Sequence, residues 1–539
     1  IWQVIQDAKL DNDLSALLNA DGSMSGHIHI WDPATHEDGV PYSISDLTAS
    51  DFRHLVEAIH AYTHELTGAP IRDGLHTLGH IPVGEQLVEF VSMLTRLPNG
   101  AVPSLRDALA RAFGLDIDAL VENPGAPLTD APSALASIAM KPLNAHADAL
   151  DTLHDLALEL LRILDAHDFA PSAIDATLAT LSSTLDTSEV AATLRFITAR
   201  IVPGLRRADD ELAHVLDALD GRYVPAGPSG APTRGMAHVL PTGRNFYAVD
   251  PRVVPSPTAW QTGQLLASGV LDRFLREEGR YPDSIGISIW GTSAMRTQGD
   301  DIAQVLALLG VRPRWQMESR RVIGLEVIPL AELGHPRVDV VCRISGFFRD
   351  AFPHAIALLD EAFDLVAALE EPDDQNYVRR NRHAEQTRLV ATGLTDDEAW
   401  RQAGFRIFGS PPGTYGAGIL QLIDERQWHS DADFAETYVN WGGYAYTRAA
   451  YGVDARDRFR TALAGVQIAL KNQDNREHDI FDSDDYLQFH GGMTATIRSL
   501  TGTNPKRYFG DSQDPARPRV RDLKEEALRV FRTRVVNPK

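Results

Sequence analysis

Ser284-Ile-Gly-Ile-Ser-Ile-Trp290 is a short apolar run that stops at Gly291, and the polar stretch Gly291-Thr-Ser-Ala-Met-Arg-Thr-Gln-Gly-Asp-Asp301 leads from it into helical spacing over 301–309. Residues 322–330 and 338–344 are further strand candidates, the second rich in β-branched side chains, and 352–369 returns to a helical period. Strand, loop, helix, strand, strand, helix predicts an α/β layer with a largely parallel sheet, here placed at 234–400. Open sheets of that kind bind ligands outside the carboxyl ends of their strands, which is where Trp290–Asp301 falls. An ordinary strand-to-helix connection is the competing reading of the same residues.

Upstream, 1–225 reads as mainly helical. Residues 45–66 and 83–97 are amphipathic candidates, and Ser104-Leu-Arg-Asp107 supplies an N-cap serine with an acid in the first turn. Apolar residues recur at three- and four-residue spacing over 143–167 and 173–220, which predicts a long helical hairpin at about 143–220, broken at Phe169-Ala-Pro171. The Pro/Gly-rich stretch 223–233 is the clearest linker. Downstream, Thr395-Asp-Asp-Glu398 is a capping box, and 401–539 reads as a loop-rich mixed α/β region. The fold class expected is therefore α/β multidomain.

The chain has 539 residues, enough for two or three domains, with 44% hydrophobic and 23% charged residues, ordinary values for soluble protein. It has no apolar run long enough to span a membrane and no signal-peptide core at Ile1-Trp-Gln-Val4. Its abrupt ends suggest a piece of a longer protein. The formal charge of −23 disfavours nucleic acid and anionic membranes as partners. The one cysteine, Cys342, excludes an internal disulfide and Cys-rich metal sites; it sits in an apolar run, fits a buried inert thiol, and agrees with a cytoplasmic location. Only Lys9, Lys141, Lys471, Lys506, Lys524 and Lys539 are lysines, so the bases are nearly all arginine, the planar two-pronged partner of carboxylates. Genomic base composition is the bland account of this bias.

Five constellations could carry chemistry. Ile71-Arg-Asp-Gly-Leu-His-Thr-Leu-Gly79 brackets His76 between glycines, presenting an imidazole for metal or proton, or a loop histidine bonded to backbone. Thr242-Gly-Arg-Asn-Phe-Tyr-Ala-Val-Asp-Pro-Arg252 crowds a guanidinium, an amide, two aromatics and a carboxylate into a loop between prolines, suited to a large, flat, charged ligand or to a crossover pinned by an Arg244–Asp250 pair. Trp290–Asp301 is the third; its helix start favours anions, but it is not a Walker loop, and ATP binding by this chain is unsupported. Arg406-Ile-Phe-Gly-Ser-Pro-Pro-Gly-Thr-Tyr-Gly-Ala-Gly418 lets backbone approach a flat ring, or is a surface loop. His478-Asp-Ile-Phe-Asp-Ser-Asp-Asp-Tyr-Leu-Gln-Phe-His490 holds Asp479, Asp482, Asp484 and Asp485 between two imidazoles, a donor set for a divalent ion; it lacks the EF-hand glycine and closing glutamate. A solvated acidic helix start is the alternative.

Taken in order, Arg72-Asp-Gly-Leu-His-Thr-Leu-Gly79, Thr242-Gly-Arg-Asn-Phe-Tyr247, Arg406-Ile-Phe408 with Gly413-Thr-Tyr-Gly-Ala-Gly418, and Phe481-Asp-Ser-Asp-Asp485 with His490-Gly-Gly-Met493 resemble the large subunit of the aerobic (CobN-type) cobaltochelatases. The magnesium-chelatase large subunit carries related motifs, and the Gly-Arg-Asn-Phe-Tyr and Arg-Asp-Gly-Leu-His forms resemble the cobalt branch more. The family's upstream His-Gly-x-x-Glu-Trp segment is missing from this sequence. The resemblance implies insertion of Co²⁺ into hydrogenobyrinic acid a,c-diamide on the aerobic route to cobalamin, with ATP/Mg²⁺ hydrolysed on separate AAA+ type motor subunits. It implies His76 and His490 for ion delivery or proton removal, and His478, Asp482, Asp484, Asp485 and His490 as ligands to the substrate metal. Arg72, Arg244, Asn245, Arg296 and Arg406 would hold substrate polar groups, with Tyr247, Trp290 and Tyr415 on the ring. A magnesium chelatase acting on protoporphyrin IX, and a non-catalytic tetrapyrrole carrier or scaffold, are the alternatives.

Overall fold

The structure, a computed structural model, describes residues 77–536 apart from 248, 317 and 477. The helix expected at 45–66, and Arg72 and His76, lie outside the described residues. The chain divides into two compact units, the first comprising 1–227, 231–245 and 531–539 and the second 228–230 and 246–530.

Among the described residues the first unit is helical. Ser104 caps Leu105–Ala112 by accepting the Asp107 amide proton at 3.0 Å. The 21-residue helix His146–Ala166 buries Leu150, Leu153, Ala157, Leu160, Leu161 and Leu164 in one core with Val88, Val91 and Leu109. The second arm of the expected hairpin is interrupted: Ile174–Leu178 is followed by a continuous helical run through Ser188–Phe196, the π-turn Ile197–Ile201 and Val202–Leu205, and then by Asp210–Leu219. Asp168 and Phe169 take left-handed φ (55° and 51°) and turn the chain. Ser182, Thr184 and Asp186 then favour local side-chain bonds over helix between Leu178 and Ser188.

The second unit is built on one sheet of eight strands: β1 (Ser284–Ile289), β2 (Asp339–Ile344), β3 (Ile407–Gly409), β4 (Tyr444–Tyr446), β5 (Tyr451–Asp454), β6 (Ile468–Gln473), β7 (Lys506–Asp511) and β8 (Arg519–Asp522). Their spatial order is β8-β7-β6-β1-β2-β3-β4-β5. The five central strands are parallel, and β4, β5 and β8 are added by antiparallel pairing at the two edges. The regions expected as separate, 234–400 and 401–539, thus share one sheet.

Strands β1 and β2 are buried on both faces, as their near-continuous apolar sequences require. Ile285, Ile287, Ile289, Val340, Cys342 and Ile344 face one core with helices α1 (Pro257–Glu278), α2 (Asp300–Leu309) and α3 (Pro353–Ala367). Val341, Phe408 and Ala469 face the other, with α4 (Asp431–Gly442) and α5 (Gly492–Thr501). Gly263 lets α1 approach α2 closely: a Cβ there would lie 2.5 Å from that of Ala303. Cys342 is fully buried, and desolvation pushes its thiol well above the usual range, so it is inert as expected. Among the described residues no helix is long and apolar enough to cross a membrane.

Candidate functional site

The chain leaves β1 toward β2 and β3 on one side, while β6 and β7 lie on the other, so strand order reverses between β1 and β6. Four segments leave the carboxyl ends of neighbouring parallel strands: Trp290 after β1, Gly346 after β2, Ser410–Gly418 after β3 and Asp474–His490 after β6. The third, fourth and fifth constellations therefore meet at one end of the sheet, at its switch point.

Contacts between them are direct. The Trp290 indole packs edge-on against Tyr486, with centroids 5.1 Å apart, and against Phe489 at 6.2 Å. Arg296 holds Asp474 with two bonds, 2.6 and 2.9 Å. Gln488 accepts from the Ala417 amide at 2.9 Å and donates to Asp485 at 2.9 Å. Gly416 and Gly418 both have φ of +77°, and a Cβ on Gly416 would sit 3.1 Å from the Gln488 oxygen.

Side chains hold the glycine loop at five of its carbonyls. Arg349 donates to Ser410 O (3.2 Å), Pro411 O (2.8 Å) and Thr414 O (3.0 Å), Trp441 to Tyr415 O (3.0 Å), and Arg343 to Gly416 O (3.2 Å). Asp350, paired with Arg349, accepts the Tyr415 hydroxyl at 2.8 Å. Arg349 keeps the Asp350 carboxyl below its usual range, and Asp350 in turn raises the Tyr415 phenol. The Tyr415 ring, 59% exposed, is presented on a fixed backbone.

Several predicted residues sit differently. Arg406 is 5% exposed, donates to Asp339 at 2.7 Å and to Ala403 O and Phe405 O, and so ties β3 to β2 rather than clamping a ligand. His490 is 4% exposed in a π-helical turn, with Nε2 on Ala469 O at 3.1 Å and its ring against Phe509. Burial lowers its pKa to about 4, so it is a neutral core histidine here and not a partner of the acidic turn. Among the described residues no group of three His, Cys, Asp or Glu side chains is placed to hold a metal. The reason is local: Asp482 accepts from the Asp479 amide, Asp479 from the Phe481 amide, and Asp485 from Gln488, so three carboxylates are turn-builders. His478 is 53% exposed with Nδ1 4.0 Å from Asp482, and Asp484 is exposed. Burial raises the Asp485 carboxyl, with Asp484 adding to it.

In the first unit, Gly79 and Gly243 meet on one helix start. The Gly79 amide donates to Glu211 at 2.8 Å, a Cβ on Gly243 would lie 2.6 Å from the Glu211 nitrogen, and His214 bonds Gly243 O. Gly79, the last residue of the first constellation, and Gly243 of the second are thus adjacent there. Arg244 donates to Pro241 O and Val239 O at 2.9 Å each, and Asn245 to Pro225 O through its backbone. Asp250, the partner considered for Arg244, belongs to the second unit and is held by Arg252 and Arg321, which lower its pKa to about 2.

Sequence reasoning does not find Gln488, Arg349, Asp350, Arg343, and above all Lys471 with Asp301. β6 reads Ile-Ala-Leu-Lys-Asn-Gln, and all six residues are buried. Three consecutive polar residues inside a buried central strand are the available signal.

The family model described as CobN/Magnesium Chelatase matches residues 1–539. The aerobic cobaltochelatase subunit CobN of Pseudomonas aeruginosa is 45% identical over 89% of this chain and 38% of its own length. That of a Sinorhizobium species is 43% identical over 90% of this chain and 38% of its own length. The magnesium-chelatase subunit ChlH of Oryza sativa subsp. japonica is 35% identical over 62% of this chain and 24% of its own. A solved structure, the catalytic subunit of cobaltochelatase from Mycobacterium tuberculosis, superposes with a TM-score of 0.82 at 44% identity, covering 100% of this chain and 40% of that one. The chain thus spans about two-fifths of the cobaltochelatase relatives it matches. A sequence matched from end to end, and superposing over its whole length on a solved relative, belongs to the CobN/magnesium chelatase family.

Proposed function

We propose that this chain is part of the large, ring-binding subunit of a cobaltochelatase that inserts Co²⁺ into hydrogenobyrinic acid a,c-diamide for aerobic cobalamin synthesis. ATP/Mg²⁺ is consumed on separate AAA+ type motor subunits, and the assembly works in the cytoplasm. The observation that carries the reading is the gathering of Trp290, Arg296, Tyr415 and Asp485 at the switch point of one sheet, in a chain of this family.

Metal insertion asks three things of a protein: to hold a flat ring, to strip water from the ion, and to remove ring N–H protons. Tyr415 offers an exposed, fixed aromatic face and Trp290 a partly exposed one. Arg296, at the site's margin, exchanges part of its Asp474 bonding for a ring carboxylate. His478, Asp482, Asp484 and Asp485 line the approach of the substrate ion as separate donors, to be drawn together by the ion itself.

Spectroscopic titration with metal-free corrinoid and with protoporphyrin tests it. Preference for the corrinoid, followed by Co²⁺ uptake when motor subunits and ATP are added, is expected. Preference for protoporphyrin would assign the magnesium branch. Ring binding without insertion in the complete assembly would assign a carrier.

A further inference from the structure

Lys471 lies at the heart of the sheet with its side chain 0% exposed. Its Nζ has no hydrogen-bond acceptor: the Asp301 Oδ2 is 3.9 Å away and the centre of the Trp290 ring 4.1 Å away. Asp301 Oδ2, Ser288 Oγ on the adjoining strand and Gln304 Nε2 also lack partners. Asp301 uses only its other oxygen, on Asn472 at 2.7 Å. Buried polar atoms without partners are rare and costly, and here they collect around the ends of β1 and β6.

Arg337 shows the usual treatment of a buried cation. Arg337, equally buried, bonds Glu371 twice and the carbonyls of Leu309, Gly310 and Ile328. Arginine cannot give up its proton, whereas a buried lysine does so readily. A chain with six lysines among 51 basic residues places one of them where the head group finds no acceptor, directly behind a tryptophan that reaches the surface.

We propose that Lys471 and Asp301 are a proton-holding pair behind the ring site, resting as neutral amine and neutral acid and gaining one proton, as the Lys471 ammonium, when metal displaces a ring N–H proton. The source of that proton rests on the function proposed above. The ring N–H bond breaks with its electron pair left on nitrogen for the ion, and the proton ends on the Lys471 lone pair. Burial lowers the Lys471 pKa and raises that of Asp301, which favours the neutral pair at rest. The charges of Asp474 and Asp485 favour the ammonium once formed, as does the Trp290 ring; Arg296 opposes it, and neutral His490 adds no charge.

Six lysines make the test tractable. In protein carrying ¹³Cε-lysine, the resonance lost in K471M is Lys471, and it is expected to report a neutral amine at pH 7. The isosteric D301N should leave that resonance in place. In the complete assembly, K471R should keep corrinoid affinity but lose insertion by roughly 100-fold. A charged Lys471 at pH 7, a D301N variant that moves it, or K471M inserting at the wild-type rate would overturn the pair. Failure of the wild type to bind any metal-free ring would instead overturn the functional reading, and the lysine resonance, which needs no ligand, keeps the two failures apart.

Discussion

Gln488 and Ala417 join two loops that lie 71 residues apart in the sequence: the Gln488 side-chain oxygen accepts the Ala417 amide proton at 2.9 Å. Because the same side chain donates to Asp485 at 2.9 Å, its orientation is fixed from both ends. Removing it leaves a buried amide and a half-buried carboxylate unpaired, at about 1–3 kcal/mol. Q488A should therefore lower the unfolding free energy in urea by that amount and raise hydrogen exchange at Ala417 selectively. Unchanged exchange at Ala417 would show that the glycine loop does not depend on the acidic turn.

Tyr415 separates two contributions to ring binding. Y415F removes the hydroxyl bond to Asp350 and keeps the ring, whereas Y415A removes the stacking surface. Loss of an aromatic contact should make Y415A bind corrinoid roughly tenfold more weakly, with a smaller loss in Y415F. Equal losses in a spectroscopic titration would place the Tyr415 role in the loop conformation instead.

The loops that meet here are legible in the sequence; what each side chain does in them is not. Trp290 and Tyr415 stand out because glycines and strand ends frame them, and the structure puts them at the carboxyl edge of the sheet. His490 and Arg406 carry the same chemical labels as functional residues but point into the core, and only their packing against β6 and β2 decides that. β6 itself escapes recognition because Lys471, Asn472 and Gln473 interrupt its apolar run, the feature that makes it informative. The turn expected at Phe169-Ala-Pro171 lies where Asp168 and Phe169 take left-handed φ, but the second arm is interrupted after Leu178, where the local side-chain bonds of Ser182, Thr184 and Asp186 are weak marks in an alanine- and leucine-rich period.

Arg406 provides a control for the site. Its pair with Asp339 is buried on both sides, so R406A leaves an uncompensated carboxylate in the core and should cost about 3–5 kcal/mol. The double variant R406M/D339L, which removes both charges, should recover much of that loss. A ligand clamp would behave otherwise: R406A would keep its stability, and the double variant would bind ring no better than the single.

His490 makes the sharpest pH prediction. Its folded pKa of about 4 lies below the ordinary 6.5, so the native state holds it neutral while the unfolded chain takes up a proton below pH 6.5. Its contribution to stability is therefore complete above pH 6.5 and is lost progressively as pH falls toward 4. Between about pH 7.5 and about pH 4.5 that loss is about 2.5 kcal/mol for a fully buried imidazole. Other groups titrate in the same window, so the quantity to measure is the difference between wild type and H490Q in urea unfolding at the two values. H490Q, which keeps a donor for Ala469 O but cannot charge, should lose about 2.5 kcal/mol less than wild type on acidification. Equal losses would mean that His490 charges freely in the folded protein, which would return it to the list of candidate proton and metal groups of the ring site.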